Sequence, residues 1–266
     1  MTNRLNREGW NKISERYQVQ NEISLVDVHY GPIAPGEKEE HLLGDVQGKK
    51  ILELGCGGGQ NAIVLAKWGA KVWGVDQSVK QLEHARQLAT QEETAVEFLE
   101  ANMESMSELN ENSFDMILSS HAINYVENLQ AVFRECARLL KSGGRVVLCL
   151  AHPIAFFAWE ALEEDNFALL KERSYFRREE SWEWDFPDGY SVPFESRLWT
   201  FEDIINGIIT AGLTVEKVRE PKGYDISSMP PAELEQIPYK WDAPAQKFSE
   251  LNQKIPYSLI VVASKK

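Results

Sequence analysis

The chain has 266 residues, of which 43% are hydrophobic, so it can bury one substantial core, or one core with a subsidiary lid. Its formal net charge of -13 would repel a phosphate backbone over most of the surface, which disfavours a nucleic-acid partner. No run approaches the ~20 apolar residues that span a bilayer, and the N-terminus lacks the apolar segment of a signal peptide, so we expect no membrane partner and a cytoplasmic protein.

Residues 1–47 precede the first predicted strand. Trp10, Ile13 and Tyr17 recur at helical spacing, which predicts a short amphipathic helix. The stretch from His29 to Pro32 is typical of extended chain followed by a turn.

A glycine-rich turn follows the first apolar strand. Gly55, Gly57 and Gly59 stand after Glu53 in the spacing Glu-x-Gly-x-Gly-x-Gly, and apolar residues then recur at helical spacing from Asn61 to Trp68. Glycine lets the backbone bend sharply and leaves no Cβ between the turn and a ligand. The free N–H groups of the following helix point at the same place, so this strand, turn and helix predict a cofactor cradle.

A second predicted strand, Lys71 to Asp76, ends in an acid about 20 residues after the turn, the separation at which a carboxylate accepts hydrogen bonds from ribose hydroxyls. The dinucleotide fingerprint requires Gly-x-Gly-x-x-Gly, whereas here the third glycine comes one residue early. Together the two motifs resemble those of the class I S-adenosylmethionine-dependent methyltransferases. This resemblance implies S-adenosylmethionine as the cofactor.

The resemblance also implies a fold and a domain plan. The expected fold is α/β and Rossmann-like, with a seven-stranded sheet of six parallel strands and one antiparallel last strand, helices on both faces, and a lid inserted after strand 5. We expect a single domain over residues 1–266. Its parts would be an N-terminal flap (1–47), a cofactor-binding core (48–151), a substrate lid (152–198) and the completion of the core (199–266).

The middle of the chain continues the alternation of helix and strand. A helix from Ser78 to Thr90 and a strand from Val96 to Leu99 are predicted, and Asn102 and Met103 follow that strand. In the resembled family an Asp or Asn here contacts the adenine amino group, and the next side chain packs on the ring. Asn102 could equally be an ordinary turn or cap residue.

Predicted strands four and five carry the candidate bases. His121 follows the strand that runs from Ser113 to Ser119, and His152 follows the one from Arg145 to Leu150. A helix from Asn128 to Leu140 and a Ser-Gly-Gly turn join the two strands, a signature that strengthens the family resemblance. Imidazole titrates near neutral pH, so both histidines are candidate general bases, although a lone histidine is often structural.

The segment from His152 to about Arg197 is both aromatic and acidic, with ten acids against four bases between Glu160 and Asp188. We interpret it as a substrate lid whose tryptophans and carboxylates would suit a planar or cationic acceptor. The alternative is a helical buttress whose aromatic side chains pack inward and whose acids are solvated.

The last part of the chain predicts a helix from Phe201 to Ala211, a strand from Leu213 to Val218, a long loop over 221–254 with a short helix near 231–236, and a final strand from Tyr257 to Ala263.

Methyl transfer needs few catalytic groups, because the donor is already activated and the protein mainly positions the acceptor. The candidate catalytic residues are His121 and His152. Candidate cofactor-binding residues are Tyr17, Glu53, Gly55, Cys56, Gly57, Asp76, Gln77, Asn102, Met103 and Ser119. Candidate substrate-binding residues are Tyr30, Trp182, Trp184 and Tyr190. The cysteines lack metal-ligand spacing and no acids cluster after strand four, so no metal site is expected.

The function predicted from these residues is transfer of a methyl group to an oxygen or nitrogen of a small molecule. Two other functions remain open: a module that binds the donor without catalysis or supports a partner protein, and a nicotinamide-dependent oxidoreductase. Titration with either cofactor separates the oxidoreductase, and turnover separates the binding module.

Overall fold

A computed structural model describes residues 2–32, 34–163, 165–234, 237–239 and 249–266. Its helices are α1 (Thr2–Asn21), α2 (Glu37–Glu40), α3 (Gln60–Lys67), α4 (Val79–Gln91), α5 (Leu129–Leu139), α6 (Pro153–Glu163), α7 (Leu169–Glu172), α8 (Phe201–Thr210) and α9 (Pro231–Leu234), with one 3-10 turn at Ile123–Tyr125. Its strands are β1 (Lys50–Leu54), β2 (Lys71–Asp76), β3 (Val96–Glu100), β4 (Phe114–Ser120), β5 (Leu140–Ala151), β6 (Glu179–Asp185), β7 (Ser191–Arg197), β8 (Leu213–Arg219) and β9 (Ser258–Lys265).

Seven of these strands form one sheet in the order β3-β2-β1-β4-β5-β9-β8. β9 is antiparallel to both of its neighbours, β5 and β8, so the other six strands run in one direction. The predicted fold class is therefore confirmed. With this order, the carboxyl ends of β1, β2 and β4 meet at one edge of the sheet, where open α/β sheets bind their ligands.

Polar side chains begin three of the helices at the places that the sequence predicts. The Ser78 hydroxyl accepts a hydrogen bond from the Gln81 N–H, and the Asn128 amide oxygen accepts one from the Ala131 N–H. Thr200 and Asp203 form a reciprocal capping box at the start of α8. These contacts satisfy N–H groups that the first helical turn leaves without partners.

The sheet is buried on both faces. Along β5, Val146 and Leu148 pack into a core with α5 and α8, whereas Val147 between them packs into a second core with α3 and the segment around Tyr30. Successive strand residues point to opposite faces, so the run of apolar residues in the central strands fills both cores.

Three features differ from the prediction. α1 has 20 residues and is not a short helix. The predicted Ser-Gly-Gly turn lies inside β5 as a bulge, because pairing with β4 passes from Phe114↔Leu140 to Met116↔Arg145, with Gly143 at φ +74. The segment after β5 contains α6, α7 and an antiparallel hairpin of β6 and β7, which the sequence pattern did not predict.

In the loop predicted for residues 221–254, α9 confirms a short helix from Pro231, while residues 235–236 of that prediction and residues 240–248 lie outside the described part of the chain. Within the described ranges, none of the helices combines the length and the apolar character that crossing a bilayer requires.

Candidate functional site

A cavity of about 140 Å³ lies beneath α1 at the carboxyl edge of the sheet. Its floor is the β1–α3 turn, and its walls come from the ends of β2, β3 and β4 and from α1. The predicted cofactor-binding residues that line it are Tyr17, Glu53, Gly55, Cys56, Gly57, Asp76, Gln77, Asn102 and Met103, and His121 lines it as well. The structure thus brings together residues that are up to 104 positions apart in the sequence, from Tyr17 to His121.

The glycine turn is tied to the end of β2. The N–H of Gly57 donates to Asp76 Oδ2 over 2.9 Å, and the N–H of Ser78 donates to Asp76 Oδ1 over 2.8 Å. Gly57 has φ +51, and a Cβ added there would meet nothing within 4 Å. The turn therefore presents bare backbone to the cavity, and each Asp76 oxygen keeps a lone pair for a further donor.

Glu53 is an acid buried at the cavity floor. Its Oε2 has no hydrogen-bond partner, and only 3% of the residue is exposed. Burial raises the pKa of its carboxyl to about 8, and the charge of Asp76 acts in the same direction, while hydrogen bonds from Asn61 and the Ala62 N–H oppose the shift. A buried carboxyl with a free oxygen is a site that a cationic or hydrogen-bond-donating ligand would satisfy.

The part of the cavity near the end of β3 is lined by Asn102, Met103, Gln77 and Cys56. The Asn102 side-chain oxygen accepts a hydrogen bond from the Glu104 N–H. Asn102 therefore also stabilises a turn, as the alternative interpretation of this residue expected. Its amide nitrogen stays available to a ligand.

α1 closes the cavity from above with Trp10, Tyr17 and Gln18. Gln18 donates to Gln81 over 2.8 Å and accepts from Gln60 over 2.6 Å, so an amide chain links α1 to α4 and α3. At the other end of α1, the fully buried Asn6 exchanges two hydrogen bonds with the backbone of Glu195 in β7.

His121 stands at the end of β4 with φ +53, a conformation that β4 alone would not impose. Its Nε2 lies 3.0 Å from the Ser258 hydroxyl, which donates in turn to the Tyr30 carbonyl over 3.1 Å. Because the hydroxyl gives its one proton to Tyr30, Nε2 carries the hydrogen on His121 and Nδ1 is the nitrogen that can accept a proton. Burial lowers the pKa of His121 to about 4.

His29 also lines the cavity, although the sequence analysis assigned it no role. Its Nδ1 is buried without a partner, and burial, followed by the charge of His121, lowers its pKa to about 3. The lining includes further residues that are not among the predicted site residues: Trp10, Gln18, Asn61, Ser120, Tyr125 and Tyr239. Polarity after a strand end could have pointed to Ser120, but no local pattern marks the others.

Six predicted site residues do not line the cavity, and hydrogen bonds within the protein hold three of them. His152 accepts a hydrogen bond from the Ile154 N–H at Nδ1 and contacts Glu220 through Nε2, so both ring nitrogens are engaged. The Tyr30 hydroxyl donates to the buried Glu37 carboxylate of α2, and the Ser119 hydroxyl donates to the Leu54 carbonyl of the neighbouring strand β1. Hydrogen bonds within the protein thus occupy all three side chains.

The predicted substrate-binding residues of the inserted segment also lie outside the cavity lining. Trp184 packs against Trp10 of α1 with ring centroids 5.7 Å apart, and Trp182 stacks on Phe194 of β7 at 5.1 Å. Both tryptophans thus belong to the apolar cluster that joins α1 to the hairpin. Tyr190 lies under the Arg16 guanidinium at 4.7 Å.

The acids of the β6–β7 hairpin do not line the cavity, and two of them form ion pairs at the surface. Glu179 pairs with Arg197 and Asp188 pairs with Arg16 at the surface. Among the described residues, the packing of the hairpin aromatic side chains against α1 has the form of the buttress alternative, while the role of a substrate lid stays a prediction. Over all the residues that the structure describes, no three His, Cys, Asp or Glu side chains are grouped so as to hold a metal ion.

Comparison with known proteins gives related sequences and a related fold. The model of a family described as a methyltransferase domain matches residues 52–148. An uncharacterized protein of Haemophilus influenzae is 32% identical over 192 residues, which cover 68% of this chain and 73% of that protein. An uncharacterized methyltransferase of Bacillus subtilis is 32% identical over 187 residues, which cover 67% of this chain and 71% of that protein. The structure of an S-adenosylmethionine-dependent methyltransferase from Mesorhizobium loti has a TM-score of 0.59 and 23% identity, covers 85% of this chain and 95% of that chain, and shows likeness of fold alone.

Proposed function

The chain belongs to the class I S-adenosylmethionine-dependent methyltransferases, and from that premise we propose that it transfers a methyl group to an oxygen or nitrogen of a small molecule held beneath α1. S-adenosylmethionine, when bound, supplies an electrophilic methyl group on a sulfonium. The protein then has to hold the acceptor atom roughly 3 Å from that carbon and remove a proton.

The main support is the fit of the cavity floor to the donor. The unpartnered Glu53 Oε2 would accept from the donor's ammonium, and the Asp76 carboxylate would accept from the ribose hydroxyls. The open backbone at Gly57 leaves room for the chain that joins them. Asn102 and Met103 would face the adenine, with Gln77 and Cys56 beside it.

His121 is the proposed general base. Its lowered pKa keeps the imidazole neutral near pH 7, and Ser258 holds Nε2, so Nδ1 would take the acceptor's proton. His121 would take the proton that the acceptor atom loses as it receives the methyl group, and S-adenosylhomocysteine would remain in the donor site. His152 has no part in this scheme, because it lies outside the cavity with both ring nitrogens engaged.

α1 would act as the flap over both ligands, with the β6–β7 hairpin as its support. Among the described residues, neither Lys nor Arg lines the cavity. A polyanionic acceptor such as a nucleic acid would therefore find no counter-charge there, in line with the acidic surface.

Asp76→Asn tests the donor site. We expect at least about a ten-fold loss of affinity for S-adenosylmethionine, because an amide cannot accept from the Gly57 N–H and the ribose hydroxyls as a carboxylate does. Calorimetry with S-adenosylmethionine and S-adenosylhomocysteine measures this loss, and transfer of a labelled methyl group to a small-molecule panel measures activity. Asp45→Asn, at an exposed carboxylate, is the matched control. Equal donor affinity in Asp76→Asn and the unmodified protein would contradict the proposed site.

A further inference from the structure

Among the described residues, those that line the end of the cavity away from the glycine turn carry no acidic or basic side chain other than histidine. Of the acids, only Glu53 and Asp76 line the cavity among the described residues, and both lie at the donor end. The remaining lining around His29 and His121 is aromatic or uncharged, with Trp10, Tyr17, Tyr125 and Tyr239. A carboxylate or phosphate on the acceptor would lack a cation here, and an ammonium would lack an anion, so this end suits an uncharged planar molecule.

His29 is held rigidly in this neutral end. Its backbone N–H donates to the Asn61 side-chain oxygen over 2.9 Å, and its backbone carbonyl accepts from the Ser120 hydroxyl over 3.2 Å. Its ring packs edge-on against Tyr239 at 5.3 Å. The residue is 8% exposed, and Nδ1 nevertheless has no partner. A buried nitrogen without a partner, in a residue that lines the cavity, points to a ligand.

His29 and His121 are neighbours in the cavity. Ser120, whose hydroxyl binds the His29 carbonyl, directly precedes His121 in the chain. Both imidazoles stay neutral near pH 7, because burial lowers each pKa. One of them can therefore take a proton while the other makes a hydrogen bond to the same small molecule.

We propose that the acceptor is an uncharged aromatic compound with two neighbouring hydroxyl groups, and that His29 Nδ1 determines this specificity. The inference rests on the proposed methyl transfer. One hydroxyl oxygen attacks the methyl carbon while its proton passes to His121, and the carbon–sulfur bond breaks with its electrons going to sulfur. The second hydroxyl bonds to His29 Nδ1. A hydroxyl can both donate and accept, so it fits either tautomer of His29.

Four probes that share a ring test this proposal: catechol, phenol, 3,4-dihydroxybenzoate and dopamine. We expect methylation of catechol with a KM at least about ten-fold below those of the other three, because each of them lacks a hydroxyl or brings an unpaired charge into the neutral end. Preference for a charged probe, equal use of phenol, or methylation of none of the four by protein that binds the donor would overturn the proposal.

His29→Phe tests the role of Nδ1, because it keeps a ring against Tyr239 and removes the nitrogen. We expect the KM for catechol to rise about ten-fold with a smaller change in kcat, the preference over phenol to shrink, and the donor affinity to stay the same. His41→Asn, at an exposed histidine with φ +50, is the control and should behave like the unmodified protein. An unchanged KM for catechol in His29→Phe would refute the assignment.

A binding measurement on the unmodified chain covers the case in which His29→Phe does not fold. The protein is labelled with ¹⁵N-histidine and saturated with S-adenosylhomocysteine. Catechol should then shift the His29 Nδ1 resonance, and an unchanged resonance at saturating catechol would contradict the proposal. The proposed function fails in a different way, by absence of donor binding or of methyl transfer to any acceptor.

Discussion

Glu53 shows how one buried side chain can couple ligand binding to protons. Its carboxyl has no partner for Oε2 and lies near the Asp76 charge, and burial raises its pKa to about 8. Near pH 7 the protein without donor therefore keeps Glu53 largely protonated. A cationic group beside Oε2 would favour the carboxylate, because opposite charges at short range stabilise the ionised form.

We expect donor affinity to increase with pH between about 6 and 8, by up to ten-fold per pH unit, and to level off above the Glu53 pKa. Affinity increases with pH because Glu53 is protonated below its raised pKa, and donor binding must then release that proton. Calorimetry in buffers of different ionisation enthalpy measures the released proton. Glu53→Gln should bind more weakly and without this pH dependence. A flat pH profile in the unmodified protein would rule out the coupling.

At the scale of an element, the β1–α3 turn combines two glycines with different surroundings. Gly55 and Gly57 both have positive φ, +65 and +51. A Cβ on Gly55 would lie 2.3 Å from the Cβ of Ala122, whereas one on Gly57 would meet nothing within 4 Å. The first glycine thus allows the close approach of the chain after β4, and the second keeps the cavity floor bare.

Alanine at these two positions separates packing from ligand binding. Gly57→Ala should cost roughly 1–2 kcal/mol of unfolding free energy, the cost of the left-handed conformation, and should weaken donor binding because its methyl enters the cavity. Gly55→Ala carries the same cost and a clash with Ala122 worth about 1–3 kcal/mol more. Denaturant titration and donor calorimetry measure the two effects. Equal loss of stability in both variants would contradict the contact with Ala122.

At the scale of the whole molecule, the site is built over the edge of a sheet that is buried on both faces. The neutral histidines are part of that burial, because His29 and His121 lie between the sheet and α1 with pKa values lowered to about 3 and about 4. An unfolded chain would protonate both near the usual value of about 6.5. The folded state therefore binds fewer protons than the unfolded state between about pH 4 and 6.5.

Stability should consequently fall as the pH is lowered through this range, by up to about 1.4 kcal/mol per pH unit for each histidine. Denaturant titrations between pH 4.5 and 6.5 give the slope for the whole protein, to which carboxyl groups also contribute. The difference in slope between the unmodified protein and His29→Phe isolates one histidine and should approach about 1.4 kcal/mol per pH unit at the acidic end of the range. Parallel slopes in the two proteins would show that His29 is not buried in its neutral form.

The sequence by itself predicted the individual strands of the sheet, the glycine turn and the acid that ends β2, because these features depend on residues that are close in the chain. The sheet of seven strands with an antiparallel last strand was implied by the family resemblance. The capping residues Ser78, Asn128 and Thr200 act on N–H groups three residues away, so their pattern is readable without a fold. Once β1 and β2 lie side by side, the contact between Gly57 and Asp76 follows from their strand ends.

Only the tertiary structure decided which side chains face the cavity in the irregular segments. His29 and Tyr30 are adjacent in the chain, and no local pattern says that His29 lines the cavity while the Tyr30 hydroxyl bonds to Glu37. Trp182 and Trp184 likewise lie outside the cavity lining, because the hairpin packs against Trp10 of α1. In both cases the direction of a side chain is set by residues that pack against it from a distant part of the chain. A local sequence pattern does not identify those residues.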